Sequence, residues 1–293
     1  MGKEDPALVA AEKQRRFDLL DELVGSDNGA PLGVPTKRVN ELRIFYGGRG
    51  IWFHKTVTSQ VADPGVTVGL LHTGRNYDDD LGPSSIVYHY PVTKNPGTDH
   101  SEVTATRNAM VLEVPLFVVV DRGKKRDVHL GWVLDDDPLQ QEFLVVFAGP
   151  AGPKPRPNIA DEDFNPIAQK EWRTRKSKQR PNQARFSFEV KKEYGSACAA
   201  CGLAVSELIE AAHIVPDSLH GSDDHRNGLP LCATHHRAFD RDLLRITERG
   251  TWFAADDGPS LDDLRVTKSD LHHLNARPHS RSIEWRAKSY EDQ

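Results

Sequence analysis

Cys198 and Cys201 stand in "YGSACAACG", and Cys232 and His235 stand in "LCATHHRAFD", with residues 202–231 between the two pairs. The pattern C-x2-C…C-x2-H offers three thiolates and one imidazole, the closed four-ligand set that structural zinc takes. A redox C-x-x-C pair would want a thioredoxin-like strand–helix context, which the neighbouring residues lack. Between the pairs, "LIEAAHIVP" reads as a strand carrying His213 and "SLHGSDDHRNG" as a polar loop carrying Asn227. "CATHHRAFDRDLL" reads as a helix with His236 beside the apolar Ala238, Phe239, Leu243 and Leu244. Successive helix residues point about 100° apart, so the adjacent His235 and His236 need not serve one ion. A strand with a histidine, a loop with an asparagine and a helix with a histidine are thus tied together by a zinc clip.

This arrangement resembles the HNH endonucleases of the ββα-metal type. The matching residues are His213 in "AAHI", Asn227 in "RNGLPLC" and His236 in "HHRAFD", over roughly residues 190–250. The resemblance implies a metal-dependent phosphodiester hydrolase. Such a reaction needs a water made nucleophilic and a cation on the scissile phosphate. A neutral imidazole is a suitable base near pH 7. By the resemblance His213 is that base, Asn227 orients the loop and the base, and His236 binds a catalytic Mg2+ or Mn2+. Many of these enzymes place a second metal ligand just before the base, where this chain has Ala212. Asp240, Glu210 and Asn227 are the substitutes. Asp240 is favoured, because it stands four residues after His236 on the same helix face. A single site of this kind cuts one strand, so a homodimer is expected for double-strand breaks.

The elements that must carry these residues divide the chain. Residues 1–31 hold an amphipathic helix with Leu8, Phe17, Leu19, Leu20, Leu23 and Val24 between charges, a packing or dimer element. Residues 32–149 hold short β-branched and aromatic runs, among them "GVTVGLL", "SSIVYHYPVT" and "AMVLEVPLFVVVD", separated by Gly, Pro, Asn and Asp. They predict a small barrel or strongly curved sheet. Residues 150–184, with "GPAGPKPRPN" and a basic run, read as a linker, and 185–293 as a second, zinc-stapled domain with a C-terminal tail. The fold class is therefore α+β. In the tail, His272, His273 and His279 lie among Arg277, Arg281 and Arg286, where contact with a nucleic-acid backbone is one reading.

The stretch "HTGRNYDDDLGPSSIVYHYP" resembles the SRA domain, a curved barrel related to the PUA fold that flips 5-methylcytosine out of duplex DNA. Arg75 and Asn76 stand where that family tends to have glycine, a departure from its pattern. A flipped base is held by aromatic stacking and by hydrogen bonds to its Watson–Crick edge. The resemblance names Tyr77 and Tyr88 for the rings, Asp80 first and Asp79 second for the cytosine amino group, and His89 for the lining. Together the two resemblances imply a modification-dependent, type IV-like restriction endonuclease acting on double-stranded DNA with 5-methylcytosine or 5-hydroxymethylcytosine. The alternatives are a non-cleaving reader of modified DNA and an HNH nuclease for a different modification.

Composition bounds these readings. The chain has 293 residues, 38% hydrophobic and 28% charged, with a formal net charge of −5. That is globular and no general polyanion binder. Residues 170–192 are the exception, with nine Lys/Arg against two Glu. Either they are a solvated linker, or Arg173, Arg175, Lys176, Lys178 and Arg180 lie along DNA phosphates, where counterion release drives binding. Three cysteines without a secretory pattern argue for metal over disulfides. No run has the roughly 18 apolar residues of a membrane helix, and a bacterial cytoplasmic location is expected.

Overall fold

A computed structural model describes residues 5–24, 31–74, 79–154, 159–168 and 183–290. Tyr77 and the basic positions Arg173, Arg175, Lys176, Lys178 and Arg180 lie outside the described residues. The chain forms two compact units, Met1–Pro155 and Arg156–Gln293.

The first unit is built on one large sheet. Its strands are β1 (Val34–Pro35), β2 (Ile51–Trp52), β3 (Gly69–His72), β4 (Asp80–Leu81), β5 (Ser85–His89), β6 (Leu116–Arg122), β7 (Lys125–Asp137) and β8 (Glu142–Phe147). Its helices are α1 (Pro6–Val24), α2 (Thr36–Glu41), α3 (Lys55–Thr58) and α4 (Pro96–Val111). The pairing order is β2-β3-β6-β7-β8-β5-β4, with β1 added on β7. Only β3–β6 is parallel among these pairs; the rest are antiparallel. "LFVVV" of β6 is buried along its whole length, as a strand covered on both faces must be. A register shift between Val133 and Asp135 marks a bulge in β7, which raises local twist.

The barrel expected from the strand-rich sequence does not close. No pairing joins β2 to β4 among the described residues. Both end strands are two residues long, too short to carry a closing ladder. The unit is a mixed α+β body around an open sheet. Helix α1 lays Phe17, Leu19, Leu20 and Leu23 on the cluster of Val34, Val39, Phe45, Val119 and Leu130. Its charged residues are not all outside: Arg16 is fully buried, paired with Glu12 at 2.6 Å. Burial depresses the Arg16 guanidinium to about 10, against the pull of Glu12.

The second unit has the strand–strand–helix layout that the metal ligands require. Strands β9 (Ile209–His213) and β10 (Gly228–Cys232) pair antiparallel, with His213 opposite Gly228 and Ile209 opposite Cys232. Helix α6 (Ala233–Asp240) follows directly. Helix α5 (Gln183–Tyr194) packs its Phe186 and Val190 on the sheet. A Cβ on Gly228 would fall 2.3 Å from Val190 Cγ2, so glycine there lets helix and strand approach. The hairpin β11 (Leu244–Ile246) and β12 (Trp252–Ala254) and helix α7 (Ser280–Lys288) complete the unit.

Residues 159–168, inside the stretch read as a linker, fold as a strap on this unit. Phe164 is 1% exposed, with the Arg226 guanidinium 4.4 Å from its ring centre. Arg226 also pairs with Asp161 at 2.9 Å. Ile167 bridges to Gly221, and the Ser222 amide donates to the Pro166 carbonyl. Composition alone reads this stretch as extended chain because its one anchoring aromatic sits among prolines and acids.

Candidate active site and metal centre

Sγ of Cys198, Cys201 and Cys232 and one ring nitrogen of His235 all lie within 4.8 Å of one another. His235 Nδ1 is 3.0 Å from Cys232 Sγ and 3.4 Å from Cys198 Sγ. Tetrahedral zinc with bonds of about 2.3 Å to sulfur and 2.0–2.1 Å to nitrogen sets that edge at roughly 3.5 Å. His235 Nε2–H donates to the Leu264 carbonyl at 2.9 Å. That leaves Nδ1 as the ligand atom, the outer bond that orients ligating histidines generally. Burial and the neighbouring Cys198 and Cys232 sulfurs push the Cys201 thiol up to about 12. Four such groups at this spacing fit a cation and fit nothing else as well.

The second imidazole of "HH" faces elsewhere. His236 Nδ1 is 2.6 Å from Glu210 Oε2, and its Nε2 is 3.5 Å from Asp240 Oδ2. His213, 7% exposed at the end of β9, has Nε2 3.2 Å from Asp223 Oδ1. Its ring stacks on Phe186, with centres 4.0 Å apart and planes at 15°. His213, His236 and Asp240 line one cleft of about 350 Å³. Asn227 does not line it. It is fully buried, accepting from the Val215 amide and donating to the Val215 and Ser222 carbonyls. Those three bonds clamp the loop 215–222 that leaves His213.

Residues 198–247 match the family model described as HNH endonuclease. This segment is an HNH endonuclease domain. No curated protein matches the chain. Among solved structures, a modification-dependent TagI restriction endonuclease is 17% identical and covers 83% of this chain and 92% of its own, at a TM-score of 0.32. The SRA domain of SUVH5 in complex with fully methylated CG DNA is 19% identical, covering 42% of this chain and 93% of its own, at 0.28. KRYPTONITE in complex with mCHG DNA and SAH is 11% identical, covering 54% and 47%, at 0.28. At TM-scores this low, none of the three superpositions fixes a residue correspondence.

In the HNH domain, two carboxylates that the motif does not name touch the histidines: Asp223 on His213 and Glu210 on His236. Glu210 shows in the sequence only as a possible ligand, and Asp223 only as one of two acids before "HRNG". Arg286, read as a DNA-backbone residue of a loose tail, is instead 4% exposed. It bonds the Phe239 carbonyl and pairs with Asp242 at 2.7 Å, which fastens α7 to the end of α6.

The residues expected to hold a flipped base separate in the first unit. Tyr88 is 3% exposed in the core cluster of Ile51, Leu70 and Phe143, and its hydroxyl donates to the Leu71 carbonyl. An aromatic ring inside a core offers no stacking face, so Tyr88 is corrected to a packing residue. Asp80, the first choice for the cytosine amino group, is exposed on β4. Asp79 is the inward carboxylate: His72 Nδ1 is 3.0 Å from one oxygen, and the His89 amide donates to the other at 3.0 Å. His89 Nε2 continues to Glu142 at 3.1 Å. Burial would raise the Asp79 carboxyl; the bonds from His72 and His89 outweigh it and hold it low. Asp79 and then Glu142 raise His89 to about 9. A histidine raised in the folded state contributes stability that is full below its ordinary value of about 6.5 and is lost as pH rises through about 9. Calorimetry from pH 6 to 10 is expected to show the melting temperature falling over that window, and His89→Gln to flatten the fall.

Proposed function

We propose that this chain is a modification-dependent DNA endonuclease: the first unit reads a modified cytosine, and the HNH domain hydrolyses a phosphodiester bond. The observation that carries the cutting half is the single cleft shared by His213, His236 and Asp240. The reading half rests on the SRA-like stretch, and the hydrogen bonds joining Asp79, His89 and Glu142 support a polar site there.

The chemistry follows from hydrogen bonding. Asp223 accepts from His213 Nε2–H, which leaves Nδ1 as the basic nitrogen. Nδ1 takes a proton from water, the oxygen attacks phosphorus, and the bond from phosphorus to the leaving oxygen breaks as that oxygen takes a proton from a second water. Glu210 accepts from His236 Nδ1–H, which leaves Nε2 beside Asp240. Two ligands on bonds of about 2.1 Å can stand up to about 4 Å apart, so this pair fits a divalent ion such as Mg2+ or Mn2+. Such an ion supplies positive charge to the scissile phosphate and the leaving oxygen. Asp240 is therefore the ligand replacing the one absent at Ala212, and Glu210 is a positioning residue. Zinc at the Cys3His cluster holds the strands and helix that carry both histidines.

The test is cleavage of matched plasmids, unmethylated, cytosine-methylated or adenine-methylated, with Mg2+ or Mn2+. Cutting confined to the cytosine-methylated plasmid is expected. No cutting of any plasmid sinks the enzyme, and equal cutting of all sinks the reader. A dimer is expected by sedimentation on DNA, since one HNH site cuts one strand. Glu210→Ala should raise the Mn2+ concentration for half-maximal cutting by roughly 10- to 100-fold, the usual effect of losing an outer bond to a ligand. An unchanged Mn2+ titration would remove Glu210 from that role. Asp223→Ala should lower kcat about 10-fold or more with DNA affinity unchanged; an unchanged kcat would disconnect Asp223 from the base.

A further inference from the structure

Helix α7 lies beyond the residues that match the HNH family, yet Trp285 and Ser289 at its end line the same cleft as His213 and His236. The cleft's volume, about 350 Å³, is at the lower end of the range for sites that enclose a small molecule, about 300–1,000 Å³. Its protein lining offers a strand no free cationic side chain. Asp217, Asp240 and Asp242 face it, and the one guanidinium there, Arg286, is already paired with Asp242. A cation held at His236 and Asp240 would attract the phosphate itself, which leaves the neighbouring base to the cleft's apolar and aromatic surface. Leu219, 53% exposed, and the half-buried Trp285 are that surface.

The helix that carries Trp285 is anchored on both sides of it. Arg286, the next residue, ties α7 to Phe239 and Asp242, and its guanidinium lies 4.4 Å from the Phe239 ring centre. Two and three residues back, Ile283 is 5% exposed in the unit's core and Ser282 Oγ bonds the Arg226 carbonyl, next to Asn227. A tryptophan in a loose tail would lose backbone entropy on binding; this one stands on a helix that is already anchored. Base–aromatic stacking tolerates any base, because every base has a π-face.

We propose that Trp285 is a nucleobase-binding residue of the nuclease, stacking on the base beside the scissile phosphate, and that α7 completes the substrate site. This rests on the cutting half of the function proposed above. The test uses the full-length zinc-loaded protein, Mn2+ and a cytosine-methylated duplex. Trp285→Ala should raise KM roughly 5- to 100-fold, the range for losing one stacked base, with kcat within about threefold, and Trp285→Phe should restore most of the loss. In a His213→Ala background, adding the duplex should quench tryptophan fluorescence, and Trp285→Phe should remove a resolved part of that quench. An unchanged KM in a Trp285→Ala protein of normal zinc content and melting, or an unchanged quench in Trp285→Phe, overturns the proposal. So does faster cutting by Trp285→Ala, which would make α7 a lid over the cleft. If the wild-type protein cuts nothing, the nuclease reading fails instead, and the quench still decides whether Trp285 meets a base. If Trp285→Ala does not fold, Trp285→Phe and the quench carry the decision.

Discussion

A His213→Ala protein is expected to bind DNA as the wild type does and to cut it about 10²- to 10⁴-fold more slowly, the range for removing a general base. The cleft has a second imidazole, but it is committed: Glu210 holds His236 Nδ1 and Asp240 stands beside Nε2. No other histidine lines the cleft among the described residues. Removing the His213 ring also uncovers Phe186, on which it stacks, so zinc content and melting temperature must be measured alongside. Single-turnover cutting at saturating protein separates the chemical step from binding. Retained cutting would remove His213 as the base. A protein that neither binds nor cuts would point to a folding defect, and His213→Asn, closer in size, would then be read in its place.

Loss of zinc should have the other large effect. Structural zinc contributes roughly 10–16 kcal/mol in small zinc-bound modules, while whole domains are stable by only about 5–15 kcal/mol. Cys198→Ser or strong chelation should therefore unfold the second unit and leave the first unit's transition near its original temperature. Zinc analysis and calorimetry would show it. His235→Ala should follow the same course, because it also strips the bond to the Leu264 carbonyl. His236→Ala should keep zinc, fold and DNA binding and lose only cutting. If the two neighbouring histidines gave one phenotype, their division into scaffold and chemistry would be wrong.

How much of this could be read from residues alone depends on how local the physics is. Zinc accepts few ligand types at short spacings, so Cys198, Cys201, Cys232 and His235 stand out without a fold. The strand, loop and helix bearing His213, Asn227 and His236 are contiguous, and their order is itself the signal. Asp223 and Glu210 gain meaning only when β9, its outgoing loop and α6 pack together, and acids in polar loops are otherwise common. Tyr88 misleads because a strand buried on both faces gives no alternation to tell core from pocket; β5 is buried at four successive positions. Barrel closure depends on edge pairing between distant two-residue strands, which no local pattern encodes. Arg286 reads as solvent-exposed because arginine is rarely buried unless paired, and Phe239 and Asp242, which hold its guanidinium, lie more than forty residues away.

The strap at residues 159–168 bears on how the HNH domain could be joined to a different DNA-binding module. A transplant starting at Gln183 would strip Asp161 and Phe164 from Arg226, whose neighbour Asn227 clamps the loop that follows His213. Truncating a buried phenylalanine costs about 3–5 kcal/mol, a large share of a small domain's stability. A portable unit must begin upstream of Ile159, so the seam for recombination is set by a phenylalanine among prolines and acids, well before the first recognisable nuclease residue.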